Sequence, residues 1–276
     1  MLLTVVWAMS LTPSATLHAE RHYLSAGKLA LISGASATIL GGAQLLGKID
    51  TSRASLIPEP LPGDRWIQHH LGGRWYVGKS NFLDKSLGSV LTPAIAAVSI
   101  VFVDQKWPQF SSTKDIGQDL ALFVSGLLFT EGVTNLTKTI VARPRPYLTL
   151  EPKLTANRAS IDPDEDRRSF FSGHVSSSVF SAVYLNKRIR HVMKDRMSYD
   201  MYNHWNWAAP TVLFSWTAFV GWSRIHAYKH YFSDVLVAAV VGGAIGEFFF
   251  RLGDGEIARS VSLSVSPTSL QISLLF

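Results

Sequence analysis

Three stretches gather basic and imidazole side chains at the ends of apolar runs, and each offers something that an anion such as phosphate could bind or react with. The first runs from Lys138 to Pro146, KTIVARPRP. Its two prolines, Pro144 and Pro146, lack an N–H and restrict the residues before them, so a helix must stop there. Lys138 then sits on the last turns and Arg145 just beyond, a point charge and a planar fork able to aim at one place. Taken alone, snorkelling anchors at a membrane edge explain this stretch better. The second is SFFSGH, Ser169 to His174. Gly173 admits close backbone approach, and the N–H groups of a starting helix favour an anion. Ser172 offers a hydroxyl donor or an N-cap, and His174 an acid–base group or an inert surface histidine. The third runs from Ser223 to Asp234, SRIHAYKHYFSD. His230 and Asp234, four apart, share a face if the segment is helical. A carboxylate beside one ring nitrogen fixes the tautomer and leaves the other as nucleophile or base. A structural His–Asp pair is the plainer alternative, but ionisable groups in an apolar bundle are costly unless used.

Together these stretches resemble the signature of the type 2 phosphatidic acid phosphatase and vanadium haloperoxidase superfamily: K-x6-R-P, then P-S-G-H, then S-R-x5-H-x3-D. Lys138, Arg145 and Pro146 match the first part; Ser172, Gly173 and His174 the second; Ser223, Arg224, His230 and Asp234 the third. The resemblance implies a phosphatase acting on a phosphate monoester or pyrophosphate, with no metal or other cofactor. It implies His230 as nucleophile, Asp234 as the group that steadies its imidazolium, and His174 as acid and then base. Lys138, Arg145, Ser172, Gly173 and Arg224 are implied to hold the phosphate. Phe171 stands where the family usually has proline, which loosens the start of that helix or fills an apolar neighbour. Arg143-Pro144 is a second Arg-Pro two residues early; spacing selects Arg145, and Arg143 could assist.

Six apolar stretches of helical length must position these groups: Leu29 to Leu46, Leu87 to Val103, Leu120 to Leu136, His174 to Leu185, Trp207 to Trp222 and Asp234 to Phe250. They predict an all-α bundle of about six helices, with four or five near the roughly 20 residues of a membrane span. Gly242 and Gly246 form a small-xxx-small pair that predicts close approach of a neighbouring helix. Lys187 to Arg196 (KRIRHVMKDR) reads as a cytoplasmic loop by the positive-inside rule, which puts the three reactive stretches on the external or periplasmic face. The expected organisation is an apolar segment over 1–27, signal-like or interfacial, then the phosphatase bundle over 28–252 and a tail over 253–276. Thr51 to Gly63 reads as a linker and Trp66 to Leu87 as an amphipathic interfacial segment. Alternation around Pro267 gives the tail a weak β-hairpin signal.

The bulk composition agrees with a membrane lean: 47% hydrophobic, 17% charged and a mean hydropathy of +0.17. The absence of cysteine excludes disulfides and thiolate chemistry. The net charge of +6 falls in two clusters rather than one stripe, which speaks against nucleic-acid binding and for an anionic substrate. The resemblance, together with the expected external site at membrane level, implies a membrane and a phosphorylated lipid as partners. Three rivals remain at this level: a zinc site on His226, His230 and Asp234, a vanadate-dependent haloperoxidase, and a non-enzymatic binding or transport protein using Glu131, Asn135 and Lys138 as a polar pathway.

Overall fold

The computed structural model describes residues 24–47, 55–57, 59–73, 86–105, 113–149, 166–254, 261–266 and 269–274. Most of the apolar segment over 1–27 and part of the linker lie outside these residues. All six expected helices are present, most of them longer than expected: α1 (Ala26–Leu46), α3 (Thr92–Gln105, entered through a π-helical turn, Leu87–Leu91), α4 (Thr113–Val141), α6 (Gly173–Arg196), α8 (Ala208–His226) and α9 (Phe232–Gly253). Shorter helices join them: α2 (Pro62–Leu71), α5 (Pro146–Thr149) and α7 (Tyr199–Trp205). The tail forms an antiparallel pair, β1 (Val261–Ser266) and β2 (Ser269–Leu274), with Val261 opposite Leu274.

Local chemistry sets the boundaries. Ser25 caps α1 by accepting from Lys28 N, and Ser198 caps α7 by accepting from Met201 N. Pro62 opens α2 at a position where a missing N–H costs nothing. Ahead of Pro144, α4 stops at Val141, and Ala142 turns the chain at φ 48°, a left-handed conformation that a non-glycine residue adopts only when its surroundings hold it there.

The centre of the bundle is α6, which packs against α3, α4, α8 and α9. Its serines are inside: Ser176, Ser177, Ser178 and Ser181 are all fully buried. The Gly242 pair works as expected, and the neighbour is α6. A Cβ on Gly242 would lie 2.3 Å from the Ser176 carbonyl oxygen, and one on Gly246 3.0 Å from that of Phe180. Below this contact Phe123, Phe180, Tyr184, Phe249 and Phe250 form an aromatic core. Above it, Phe171, Val175, Val179, Val220 and Ala238 make a smaller apolar floor.

Two expectations need correction. Lys187 to Arg196 is the second half of α6 rather than a loop, because its charges are paired within the bundle. Arg188 is buried against Asp119 at 3.1 Å, and Lys187 reaches Glu247 at 2.8 Å. Among the described residues three helical stretches, not four or five, are long and apolar enough to cross a membrane by length and composition: Ala26–Leu46, Ile116–Thr149 (α4 running on into α5) and Phe232–Gly253. With 24 residues, α6 is about 36 Å long. It has the length but not the apolarity, since serines and basic residues fill it.

Candidate active site

The C-terminal ends of α4 and α8 meet the N-terminal ends of α6 and α9 at one end of the bundle, and backbone hydrogen bonds tie the three reactive stretches together. Ser169 N donates to Arg143 O at 3.0 Å, Tyr147 N to Tyr228 O at 3.2 Å and Ser172 N to Asp234 O at 3.4 Å. The turn after α8 folds back on itself, with Lys229 N and His230 N both donating to Arg224 O. Tyr228 within that turn has φ 54°, a second left-handed residue two positions before His230.

His230 is buried, 3% exposed. Its Nδ1–H donates to the Ser169 carbonyl at 2.6 Å, which settles the tautomer because a carbonyl can only accept. The Nε2 lone pair is thereby left for chemistry. Burial holds the ring's pKa down at about 4, against the upward pull of Asp234, with Arg145 and Lys138 adding to the depression. Two of the three cations of the first stretch, Lys138 and Arg145, therefore act on the same ring.

The expected His230–Asp234 pair exists in a modified form. His230 precedes α9 rather than lying in it, and Nδ1 is 3.9 Å from Asp234 Oδ2, too far for a hydrogen bond. Asp234 instead accepts the Ser169 hydroxyl at 2.5 Å and Tyr231 N at 2.9 Å. It acts on the imidazole through space, and through Ser169, whose hydroxyl it holds while the Ser169 carbonyl holds the ring.

The remaining expected residues lie on the helix ends and turns that meet here. A Cβ on Gly173 would lie 3.5 Å from Lys138 Nζ and 4.0 Å from Glu131 Oε2, which puts the lysine over the first turn of α6. Ser172 occupies the N-cap position of α6 but makes no cap hydrogen bond; its hydroxyl is fully buried and has no partner. His174 is half-buried on the same first turn, with Gly88 of the π-helical turn against its backbone. Arg145 and Arg224 are both buried. Phe171 is 2% exposed in the apolar floor, so it fills a neighbouring space where the family usually has proline.

Arg143 is the residue that spacing underrated. It is 1% exposed and donates to Asp234 Oδ1, Ser233 Oγ at 2.8 Å and Asp64 Oδ2 at 2.9 Å, with its guanidinium 4.0 Å from the centre of the Tyr231 ring. Its N–H edge is turned to carboxylates and its face to Tyr231, away from the substrate role that spacing gives Arg145.

The zinc stripe does not form. His226 ends α8, donates from Nδ1 to Leu71 O at 3.0 Å and stacks on Trp222, so it is committed away from His230. Among the described residues no group of three or more His, Cys, Asp or Glu side chains could hold a metal ion. The polar stripe on α4 is a packing surface in part: Glu131 accepts the Ser177 hydroxyl at 2.5 Å, and Asn135 accepts from Arg168 at 3.3 Å.

Several known proteins are similar to this chain. Phospholipid phosphatase 2 of Homo sapiens is 30% identical over 190 residues, covering 54% of this chain and 60% of that protein. Its Bos taurus counterpart is 27% identical over 203 residues, covering 59% and 63%. The chain thus spans about three fifths of the length of these curated relatives. Among solved structures, Aquifex aeolicus LpxE aligns with a TM-score of 0.38 at 17% identity, over 72% of this chain and 99% of that one. A transmembrane PAP2 type phosphatidylglycerolphosphate phosphatase from Bacillus subtilis aligns with a TM-score of 0.40 at 14% identity, over 97% and 96%. The family model of the PAP2 superfamily matches residues 119–257, which hold all three reactive stretches, and the chain belongs to that superfamily.

Proposed function

We propose that the chain is a membrane lipid phosphatase that works through a phosphohistidine on His230. One observation carries the reading: the buried imidazole has its Nδ1–H spent on the Ser169 carbonyl, leaving Nε2 as the nucleophile among buried cations. The Nε2 lone pair attacks phosphorus in line, and the bond from phosphorus to the leaving oxygen breaks. His174 gives that oxygen its proton, then takes one from the water that cleaves the N–P bond and returns the electron pair to Nε2. Asp234 offsets the positive charge that the ring carries while phosphorylated. Lys138, Arg145 and Arg224, with the Ser172 hydroxyl and the N–H groups at the start of α6, hold the three equatorial oxygens. Three fixed cations supply the charge that magnesium supplies in kinases, so the reading requires no metal.

The relatives' names, and three helices able to cross a membrane, support a phosphorylated lipid as substrate. An external or periplasmic site belongs to the same reading. With Lys187 and Arg188 paired inside the bundle, it rests on the basic residues of the last turn of α6, the exposed Lys194 together with Arg196, at the end opposite the site. The test is transfer of radiolabelled phosphate from phosphatidate to the purified protein in detergent, with and without chelator. Acid-labile, base-stable label on the wild type and none on His230→Ala is the expected result. Near-normal turnover by His230→Ala overturns the mechanism.

A further inference from the structure

We infer that Asp64, a carboxylate on α2 outside all three reactive stretches, is a positioning residue for the histidine step because it keeps Asp234 negatively charged in effect. The inference rests on the phosphohistidine reading above.

Asp64 and Asp234 occupy equivalent places, each at the third position of its helix, and each accepts from the backbone N–H just ahead of that helix: Leu61 N at 3.2 Å and Tyr231 N at 2.9 Å. Arg143 lies between them and donates to both. Asp64 further accepts Ser233 N at 2.8 Å and the Ser233 hydroxyl at 2.7 Å, which fixes the first turn of α9 directly beside Asp234. All three charged side chains are at most 2% exposed.

Charge counting gives the arrangement its meaning. Asp234 with Arg143 alone is a neutral pair and has no net charge left for a neighbouring ring. Adding Asp64 makes the buried group −1 overall. His230 is neutral at rest and becomes cationic when Nε2 bonds to phosphorus, so the cluster is balanced in the phosphorylated state. An interaction stronger in that state than at rest accelerates the step. Arg145 and Lys138 oppose positive charge on the same ring, which makes the surplus carboxylate more necessary. A structural staple between α2 and α9 explains the hydrogen bonds equally well, but not the need for two carboxylates on one guanidinium.

The experiment follows phosphoenzyme formation from radiolabelled phosphatidate in detergent for wild type, Asp64→Asn, Asp64→Glu and the double variant Asp64→Asn/Arg143→Gln. Asp64→Asn is expected to slow labelling by on the order of 10- to 100-fold, a charge effect at an effective dielectric near 20. Asp64→Glu restores part of the rate. The double variant again has a net charge of −1, on Asp234, and is expected to label at least about tenfold faster than Asp64→Asn, whereas two purely structural losses would compound. Labelling of Asp64→Asn within twofold of wild type, or a double variant no faster than it, overturns the inference. Should Asp64→Asn fail to fold, the double variant carries the test: labelling well above that of Asp234→Asn supports the charge role, and labelling at that level overturns it. An unlabelled wild type sinks the histidine reading and this inference with it; a labelled wild type with an indifferent Asp64→Asn sinks this inference alone.

Discussion

Replacing Ser172 by alanine should separate stability from catalysis in an unusual direction. A buried serine hydroxyl normally has a partner, and losing that hydrogen bond costs about 1 kcal/mol of stability. The Ser172 hydroxyl is fully enclosed and unpartnered, although its residue sits where a helix cap would form. The folded enzyme therefore already bears a desolvation cost of about 1–3 kcal/mol for this group. Ser172→Ala should leave the melting temperature unchanged or raise it. If the hydroxyl waits for a phosphate oxygen, the same change should lower kcat by about 10²–10³-fold, the usual effect of removing one donor from an oxyanion site. Thermal unfolding in detergent and turnover of phosphatidate provide the two readings. Ser178→Ala is the control: its hydroxyl is equally buried and unpartnered, but lies about 9 Å further along α6. That variant should match Ser172→Ala in stability and the wild type in turnover. A fall in both stability and turnover for Ser172→Ala would mean that the hydroxyl is structural, and unchanged turnover would remove Ser172 from the phosphate cradle.

The contact between α6 and α9 can be tested with adjacent glycines. Gly242→Ala drives a Cβ into the Ser176 carbonyl and should destabilise by about 1–3 kcal/mol. Gly243→Ala meets only Val179 at 3.7 Å and should be nearly neutral, so equal melting temperatures for the two variants would refute the packing argument. The depressed pKa of His230 predicts a pH effect on stability. The ring titrates near 4 when folded and near 6.5 when free, so between these values the unfolded chain takes up a proton that the folded one refuses. Stability should be level above pH 6.5 and fall by about 3 kcal/mol as the pH drops through 4. His230→Gln should lack that component; identical pH slopes for the two proteins would refute the burial argument. At pH 5.5 about 30 rings are neutral for each protonated one, so the acid limb set by His230 should lie well below pH 6.

The helices and the reactive stretches were legible for a simple reason. Long apolar runs report helices through composition, and the signature residues sit at the ends of those runs, where prolines, glycine and a capping carboxylate punctuate the chain. Sequence distance failed where it was used as a proxy for geometry. His230 and Asp234 are neighbours, but not through helical periodicity, because α9 begins only at Phe232. The basic run Lys187 to Arg196 looked like a loop because charges on an apolar helix are costly, and nothing local reveals that Asp119 and Glu247 supply partners from other helices.

Asp64 was illegible for a deeper reason. In PGDRW it is an ordinary acidic residue two positions after a proline at a helix start, which is where the helix dipole favours a carboxylate in any protein. Arg143 carried a faint signal, as a second Arg-Pro that the signature spacing had no use for. What joins them is the turn at Ala142, which sends Arg143 inward while Arg145 stays with the site, and the seating of α2 against α8 and α9. A signature records groups that meet the substrate, since their spacing along the chain is fixed by the helix ends they occupy. Groups that set the charge behind the nucleophile face no such constraint and can come from any element that packs there. On the buried side of His230 that element is α2, a short helix outside the three reactive stretches, whose Asp64 shares Arg143 with Asp234.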